Sequence, residues 1–462
     1  MSSELAYSVL GQLGRGKRSD DSLTLSGGDD PVFVTPWRVA GAGSAALGAV
    51  GLAVSDLWRL RTGQPQAVTI DRHATAASLR SNTYVLQNGK KPVSWDPLAG
   101  HYPTRDGRTM FLHTNHPHHR AGALRIAGAA AETREALAAA VAQWDGLAIE
   151  QAIAEGSCVG GLVRSRDEWN AHPHGRAVAG LPLIDIVKIG EAPPQPLPAF
   201  AGGDKRPLSG VRALDLTRVL AGPTSGRVLA ENGAEVLHIA APHLPYQTEI
   251  LMDTGHGKRC AWVDLTQPAG VETMNALLRK ADIFTQGYRP GTLAARGFAP
   301  EQVAALRPGI VCVSICAYGH EGPWADRRGF DSIVQNVTGL SATQGSLDRP
   351  RNLPVQALDY IAGYLGALGA LVGLARRVEQ GGSWLVRVSL VQVAHWLASL
   401  GTVAPGDGVA ELPEAELARY FMESDGLFGH LRHLKPVVQL SETPPYYAKP
   451  PEPLGTSPAR WA

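Results

Sequence analysis

Asp359 sits in Ala357-Leu358-Asp359-Tyr360, where a strand-like stretch gives way to a helix over 361–374 built from Gly, Ala and Leu. A carboxylate at a helix start is held ionised by the dipole and the unpaired amides, and those amides also stabilise an oxyanion forming beside it. That is the setting of a covalent nucleophile. The alternative is a helix cap, a role in which Asp is common. Two turns elsewhere suit an anion. Arg218 follows the strand pattern 211–216 and precedes a helix, so a guanidinium meets helix amides at a strand end. Gln286-Gly287-Tyr288-Arg289-Pro290-Gly291 follows another strand and joins an aromatic face, a guanidinium and a tight turn. The run His113-Thr114-Asn115-His116-Pro117-His118-His119 invites a metal, but has no neighbouring Cys or carboxylate and equally suits a polar loop over a ligand or an interface, so no metal is expected.

The elements that must position these groups follow from periodicity. Beyond residue 207, strands at 211–216, 236–239, 283–285 and 310–315 alternate with helices at 226–231, 271–280 and 300–306, the pattern of a parallel α/β sheet with ligands at strand ends. Before it, 109–114 reads as a strand, 133–142 and 147–154 as helices, and 182–189 as a terminal or edge strand. The two parts are joined by a connector over 192–207 with Pro193, Pro194, Pro196 and Pro198, which favours extended chain. A repeat is also legible: the Ala/Gly stretch 41–52 resembles 362–374, and each is followed by basic residues, a glycine and a β-branched strand, at 67–70 and 386–390. In this alignment Arg38 stands opposite Asp359, so only the second copy keeps the carboxylate.

With 462 residues, 44% hydrophobic and 18% charged, the chain can bury the cores of two or three domains. Its 43 basic and 42 acidic residues nearly cancel, so no global field draws it to nucleic acid or an anionic membrane. Any anion site must be local. Cys158, Cys260, Cys312 and Cys316 lack metal-site spacing and read as inert buried thiols. The start lacks the pattern of a secretory signal, which predicts a cytoplasmic protein. The apolar stretches 40–54 and 361–375 fall short of a membrane span and read as buried helices.

The ordered series Gly210-Val211-Arg212-Ala213-Leu214-Asp215-Leu216-Thr217-Arg218-Val219-Leu220-Ala221-Gly222-Pro223, Gly257-Lys258-Arg259-Cys260 with Asp264-Leu265, Tyr288-Arg289-Pro290-Gly291, Tyr318-Gly319-His320-Glu321-Gly322-Pro323 with Gly329-Phe330-Asp331, and finally Asp359 resembles the family III CoA-transferases, the CaiB/BaiF group. The resemblance spans 207–400 and reappears in the tail around Leu440-Ser441-Glu442. It implies an α/β fold: a Rossmann-like parallel-sheet large domain with a smaller α/β domain, in an interlocked homodimer. It implies Asp359 as nucleophile, attacking an acyl-CoA to give a mixed anhydride and then an aspartyl-CoA thioester, from which a carboxylic acid takes the CoA. Coenzyme A enters only as acyl-CoA substrate. By the same matching Arg218, Val219, Gly287, Tyr288, Arg289 and Arg328 fall where the family contacts CoA, and Phe330 and Asp331 near the acyl group. The related racemase branch carries His in place of Phe330, so transfer is implied over racemisation; a third alternative is a non-catalytic acyl-CoA binder. Departures are the missing acidic residue in Ile239-Ala240-Ala241-Pro242 and Ala295 where an arginine is expected. The halves read as rearranged: 1–85 a truncated first copy of the catalytic helix and strand, 86–193 a small-domain-like module, 194–206 a linker, 207–400 the CoA-binding and catalytic domain, and 401–462 a segment returning to it.

Overall fold

The computed structural model describes residues 2–92, 95–200 and 203–462. Alternation of β-rich and helical segments after residue 207 produces a seven-stranded sheet. From one edge it runs Lys258–Trp262, Glu235–Ala240, Arg212–Leu216, Ile283–Gln286, Val311–Cys316 and Ser383–Ser389, all parallel, and then Asp185–Gly190, antiparallel. Numbered along the chain, the parallel strands lie in the order 3-2-1-4-5-6. The order therefore reverses between Arg212–Leu216 and Ile283–Gln286, where open α/β sheets leave a crevice at the strand ends. The two anion-suited turns of the sequence, at Arg218 and at Tyr288-Arg289, emerge on either side of that reversal. The expected strand over 182–189 is the antiparallel edge, contributed from before the proline-rich connector. Ala201 and Gly202 of the expected 194–206 linker lie outside the described residues.

The helix Ala357–Gln380 is buried from its first residue to Leu374. Glycines cost helix stability at about 1 kcal/mol each relative to Ala, and here they permit close approach to the sheet and a neighbouring helix. A Cβ on Gly369 would lie 2.2 Å from Val386 Cγ1, one on Gly366 2.8 Å from Ile315 Cδ1, and one on Gly363 2.6 Å from the Ala221 carbonyl oxygen. Gly363 is one turn beyond Asp359. Gly363→Ala is therefore expected to cost about 2 kcal/mol of stability through overpacking, read as a lower urea midpoint, and to push the helix start out of place.

The two Ala/Gly stretches of the repeat form matching helices, and aligning their starts gives a register different from the sequence expectation. Val39–Thr62 and Ala357–Gln380 are both 24-residue helices and pack against each other. Superposing their starts sets Leu47-Gly48-Ala49-Val50-Gly51 opposite Leu365-Gly366-Ala367-Leu368-Gly369 and places Gly41, not Arg38, opposite Asp359; Arg38 matches Gln356. Each start is capped by a remote carboxylate. Asp30 accepts from the Ala40 and Gly41 amides at 3.2 and 2.9 Å, and Asp331 from the Leu358 and Asp359 amides at 2.8 and 3.0 Å. Both helices are long and apolar enough to cross a membrane, and the apolar stretch of each is buried within the fold.

Candidate functional site

Asp359 is the third residue of its helix, and the chain before it is a loop, not the strand the sequence suggested. Nor is Asp359 the cap: Gln356 holds that position without a side-chain bond, and the carboxylate that takes the free amides belongs to Asp331. The expectation that the dipole holds Asp359 ionised is reversed by its surroundings. Asp359 is 7% exposed, and burial, followed by the nearby Asp331 charge, pushes its carboxyl well above the usual range. Asp331 is itself pushed up to about 6, by burial, against bonds from the Asp359 amide, Gln335 and the Leu358 amide. The two carboxyls titrate as a pair, so proton loss from one opposes loss from the other.

The first half of the chain fixes this helix start. The Gln356 amide donates to the Leu79 carbonyl, the Tyr360 hydroxyl lies within hydrogen-bond reach of two acceptors, Asn82 Oδ1 at 3.0 Å and Asp253 Oδ2 at 3.1 Å, and Tyr364 Oη donates to Ser78 Oγ at 2.8 Å. Asp253 is held in turn by Arg227 at 2.7 Å, buried with it. A nucleophile needs such rigid support because small misplacements are costly in rate.

Two cavities meet at Asp359. One, of about 320 Å³, has in its wall all six residues the resemblance assigned to CoA: Arg218, Val219, Gly287, Tyr288, Arg289 and Arg328. Arg327 joins them, and Asp359 is the sole carboxylate in that wall among the described residues. Arg328 Nε is buried without a partner, and burial, then the charges of Arg289 and Arg218, lowers its pKa. Arg218 and Arg289 bond backbone carbonyls of Pro245 and Asp326, not carboxylates. Guanidiniums crowded without counterions suit a polyanion. Val219 adopts φ +66°, a strained backbone for a β-branched residue, at the turn where the cavities join. Arg296, by contrast, bonds the Leu265 carbonyl outside this wall.

The second cavity, of about 340 Å³, shares Val219, Leu220, Phe330 and Asp359 with the first and extends past Asp331 to Asn82, Trp95 and Gln247. Phe330 is the partition. His113 stacks on it from the second cavity, ring centroids 4.4 Å apart, and His116 lies 5.5 Å away on the side of the first. Burial holds both imidazoles neutral, His113 at about 3 with His116 adding to the effect, and His116 at about 4 with Arg218 adding to it. The histidine run thus becomes a wall of the site. Cys316, expected to be buried, is half-buried in the first cavity; its thiol is pushed up to about 12 by burial and does not compete as a nucleophile.

Sequence reasoning missed Gln356 and Asn82, whose roles depend on the helix register and the docking of the first half. It also missed that Lys258, in the second quoted motif, lies under the site: its ammonium is 2.8 Å from Asp215 and 2.6 Å from the Pro223 carbonyl, tying the first strand to the helix that follows the Arg218 turn.

Comparison with known proteins matches residues 208–450 to the model of CoA-transferase family III. The acetyl-coenzyme A transferase nodX of Hypoxylon pulicicidum is 31% identical over 325 residues, covering 65% of this chain and 54% of its own. The succinyl-CoA–L-malate CoA-transferase alpha subunit of Chloroflexus aurantiacus is 32% identical over 247 residues, covering 50% and 57% respectively. Among solved structures, a hypothetical protein from Mycobacterium tuberculosis aligns at 30% identity and a TM-score of 0.41, over 43% of this chain and 59% of that one. The chain spans about half the length of the curated relatives it matches.

Proposed function

The chain belongs to CoA-transferase family III, and we propose that it moves coenzyme A from an acyl-CoA to a free carboxylic acid with Asp359 as covalent carrier. The observation that carries this reading is the meeting of two cavities at the buried Asp359 carboxylate, one rich in arginines without carboxylate partners and one with no arginine among its described lining residues. In the reaction, an Asp359 oxygen attacks the thioester carbonyl, the C–S bond breaks, and CoA leaves as thiolate beside Arg218, Arg289 and Arg328. The thiolate then attacks the Asp359 carboxyl carbon of the anhydride, expelling the first acid. The incoming carboxylate attacks the aspartyl thioester, releasing thiolate and forming a second anhydride. Attack of thiolate on the new acyl carbon completes the product and restores Asp359. No ATP is consumed because the bonds exchanged are similarly activated, and water must be excluded meanwhile.

In this reading 207–400 is a Rossmann-like CoA-binding and catalytic domain, 1–85 a truncated copy that buttresses the nucleophile helix, 86–193 the module that supplies the histidine wall, and 401–462 a returning segment. We place the protein in the cytoplasm as a homodimer.

Loss of Arg328 removes a charge-assisted contact to a CoA phosphate, so Arg328→Ala is expected to weaken CoA binding by about 10–100-fold, measured by calorimetric titration. The reading itself is tested by thioester exchange between acyl-CoA donors and isotopically labelled acids. Label appearing in acyl-CoA supports it; CoA binding without exchange for every pair tried supports a binder.

A further inference from the structure

The second cavity carries information about the acid, and this inference rests on the transferase reading above. Among its described lining residues there is no Arg or Lys, while Asp331 and Asp359 both face it. The other polar groups are neutral: the His113 imidazole, hydroxyls, and amides including Asn82, Gln335, Asn352 and Gln356, set among Ile250, Leu353 and Val355. Gln335 and Asn352 are committed: Gln335 donates to Asp331 and accepts from the Leu353 amide, and Asn352 accepts from Asn336 and Ser341. Gln356 is different. Among the described residues its Oε1 is buried with no hydrogen-bond partner, an acceptor on the cavity wall that lacks a donor.

We propose that this cavity selects acyl groups that are uncharged beyond the reacting carboxyl and carry a hydrogen-bond donor for Gln356, as hydroxyacyl groups do, and that it rejects dicarboxylic acids. A second carboxylate would be buried unpaired beside Asp331, a penalty of several kcal/mol, whereas a hydroxyl satisfies an acceptor otherwise left costly. The cavity accommodates about ten water-sized groups at roughly 30 Å³ each, which fits a short chain. The twin helix supplies a natural contrast, because the position matching Gln356 there is Arg38.

The test compares the rate of covalent adduct formation by the full chain with 3-hydroxybutyryl-CoA, butyryl-CoA and succinyl-CoA at equal concentration and pH 7.5, in wild type and Gln356→Arg. Expected is the order hydroxybutyryl, butyryl, succinyl, with the last slower by about 100-fold, and a gain of 10-fold or more for succinyl-CoA relative to butyryl-CoA in the variant. Succinyl-CoA reacting as fast as the other two in wild type overturns the proposal. Should no thioester form an adduct, the transferase reading fails, and binding of free 3-hydroxybutyrate against succinate, by saturation-transfer NMR, still decides: tighter succinate binding overturns the selectivity, and tighter 3-hydroxybutyrate binding upholds it.

Discussion

Under the proposed carrier role, Asp359→Asn is expected to lower the transfer rate by about 10⁴-fold or more, the scale of losing a covalent nucleophile, and at the same time to make the protein more stable at neutral pH. The second effect follows from the raised pKa values. Asp331 is pushed up to about 6 and Asp359 is raised as well, both above the ordinary carboxylate value of 3.8. Between that value and about pH 6 the folded state holds protons that the unfolded chain has released. The pair's contribution to stability is therefore fully present below the unfolded pKa and is lost as pH rises through the folded values. Asparagine does not ionise, so the variant escapes this loss. It is expected to be more stable than wild type at pH 7.5, with the gain shrinking toward pH 4. Urea denaturation at the two pH values checks the sign. In wild type, transfer should quicken as pH rises through the raised range of the Asp359 carboxyl, because attack requires Asp359 ionised. A variant less stable than wild type at pH 7.5 contradicts this account of the pair.

Lys258→Ala is expected to cost about 3–5 kcal/mol, the penalty for stranding one member of a buried ion pair. Lys258 and Asp215 each have side chains only 1% exposed. Burial alone raises the Asp215 carboxyl, but Lys258 and then His238 outweigh it and hold the group below the ordinary range. Without the ammonium the burial effect prevails. A depressed carboxyl contributes stability above its unfolded pKa and loses it as pH falls, so the deficit in Lys258→Ala is largest near neutrality and narrows in acid. Since Lys258 also holds the Pro223 carbonyl, the Arg218 turn loosens and CoA affinity falls with stability. Denaturant midpoints alongside CoA titration measure both; a midpoint unchanged at pH 7.5 contradicts the assignment of Lys258 as the buried support of this turn.

Five of the six parallel strands were legible, at 211–216, 236–239, 283–285, 310–315 and 386–390, because each is a short β-rich run with local signals; the edge strand Lys258–Trp262 was not read as one. Helix Pro300–Leu306, opened by proline, falls where the sequence puts it; helix Ala221–Glu231 begins five residues earlier than 226–231 because Gly222 and Pro223 sit in its first turn, where proline is tolerated. Asp359 and the six residues around the first cavity were found as quoted motifs, but what those motifs do to one another was not. Nothing local in Phe330-Asp331 indicates that Asp331 takes the amides of a helix that starts 26 residues later, nor that burial, with the Asp331 charge adding to it, raises the carboxyl of Asp359 instead of lowering it. The register of the repeat was misread because two Ala/Gly helices match at several offsets; only the shared device of Asp30 and Asp331 fixes Gly41 opposite Asp359. The histidine run was read as a polar loop over a ligand or an interface, but its stacking on Phe330 depends on the packing of the first half on the second and was not legible.

The most direct measurement is peptide-level mass spectrometry of the full chain incubated with acyl-CoA donors and quenched with hydroxylamine, which converts an activated carboxyl into a hydroxamate. A hydroxamate at Asp359, formed only when donor is present and absent in Asp359→Asn, is the predicted result. Modification at another carboxylate, or none despite CoA binding, would contradict the central claim.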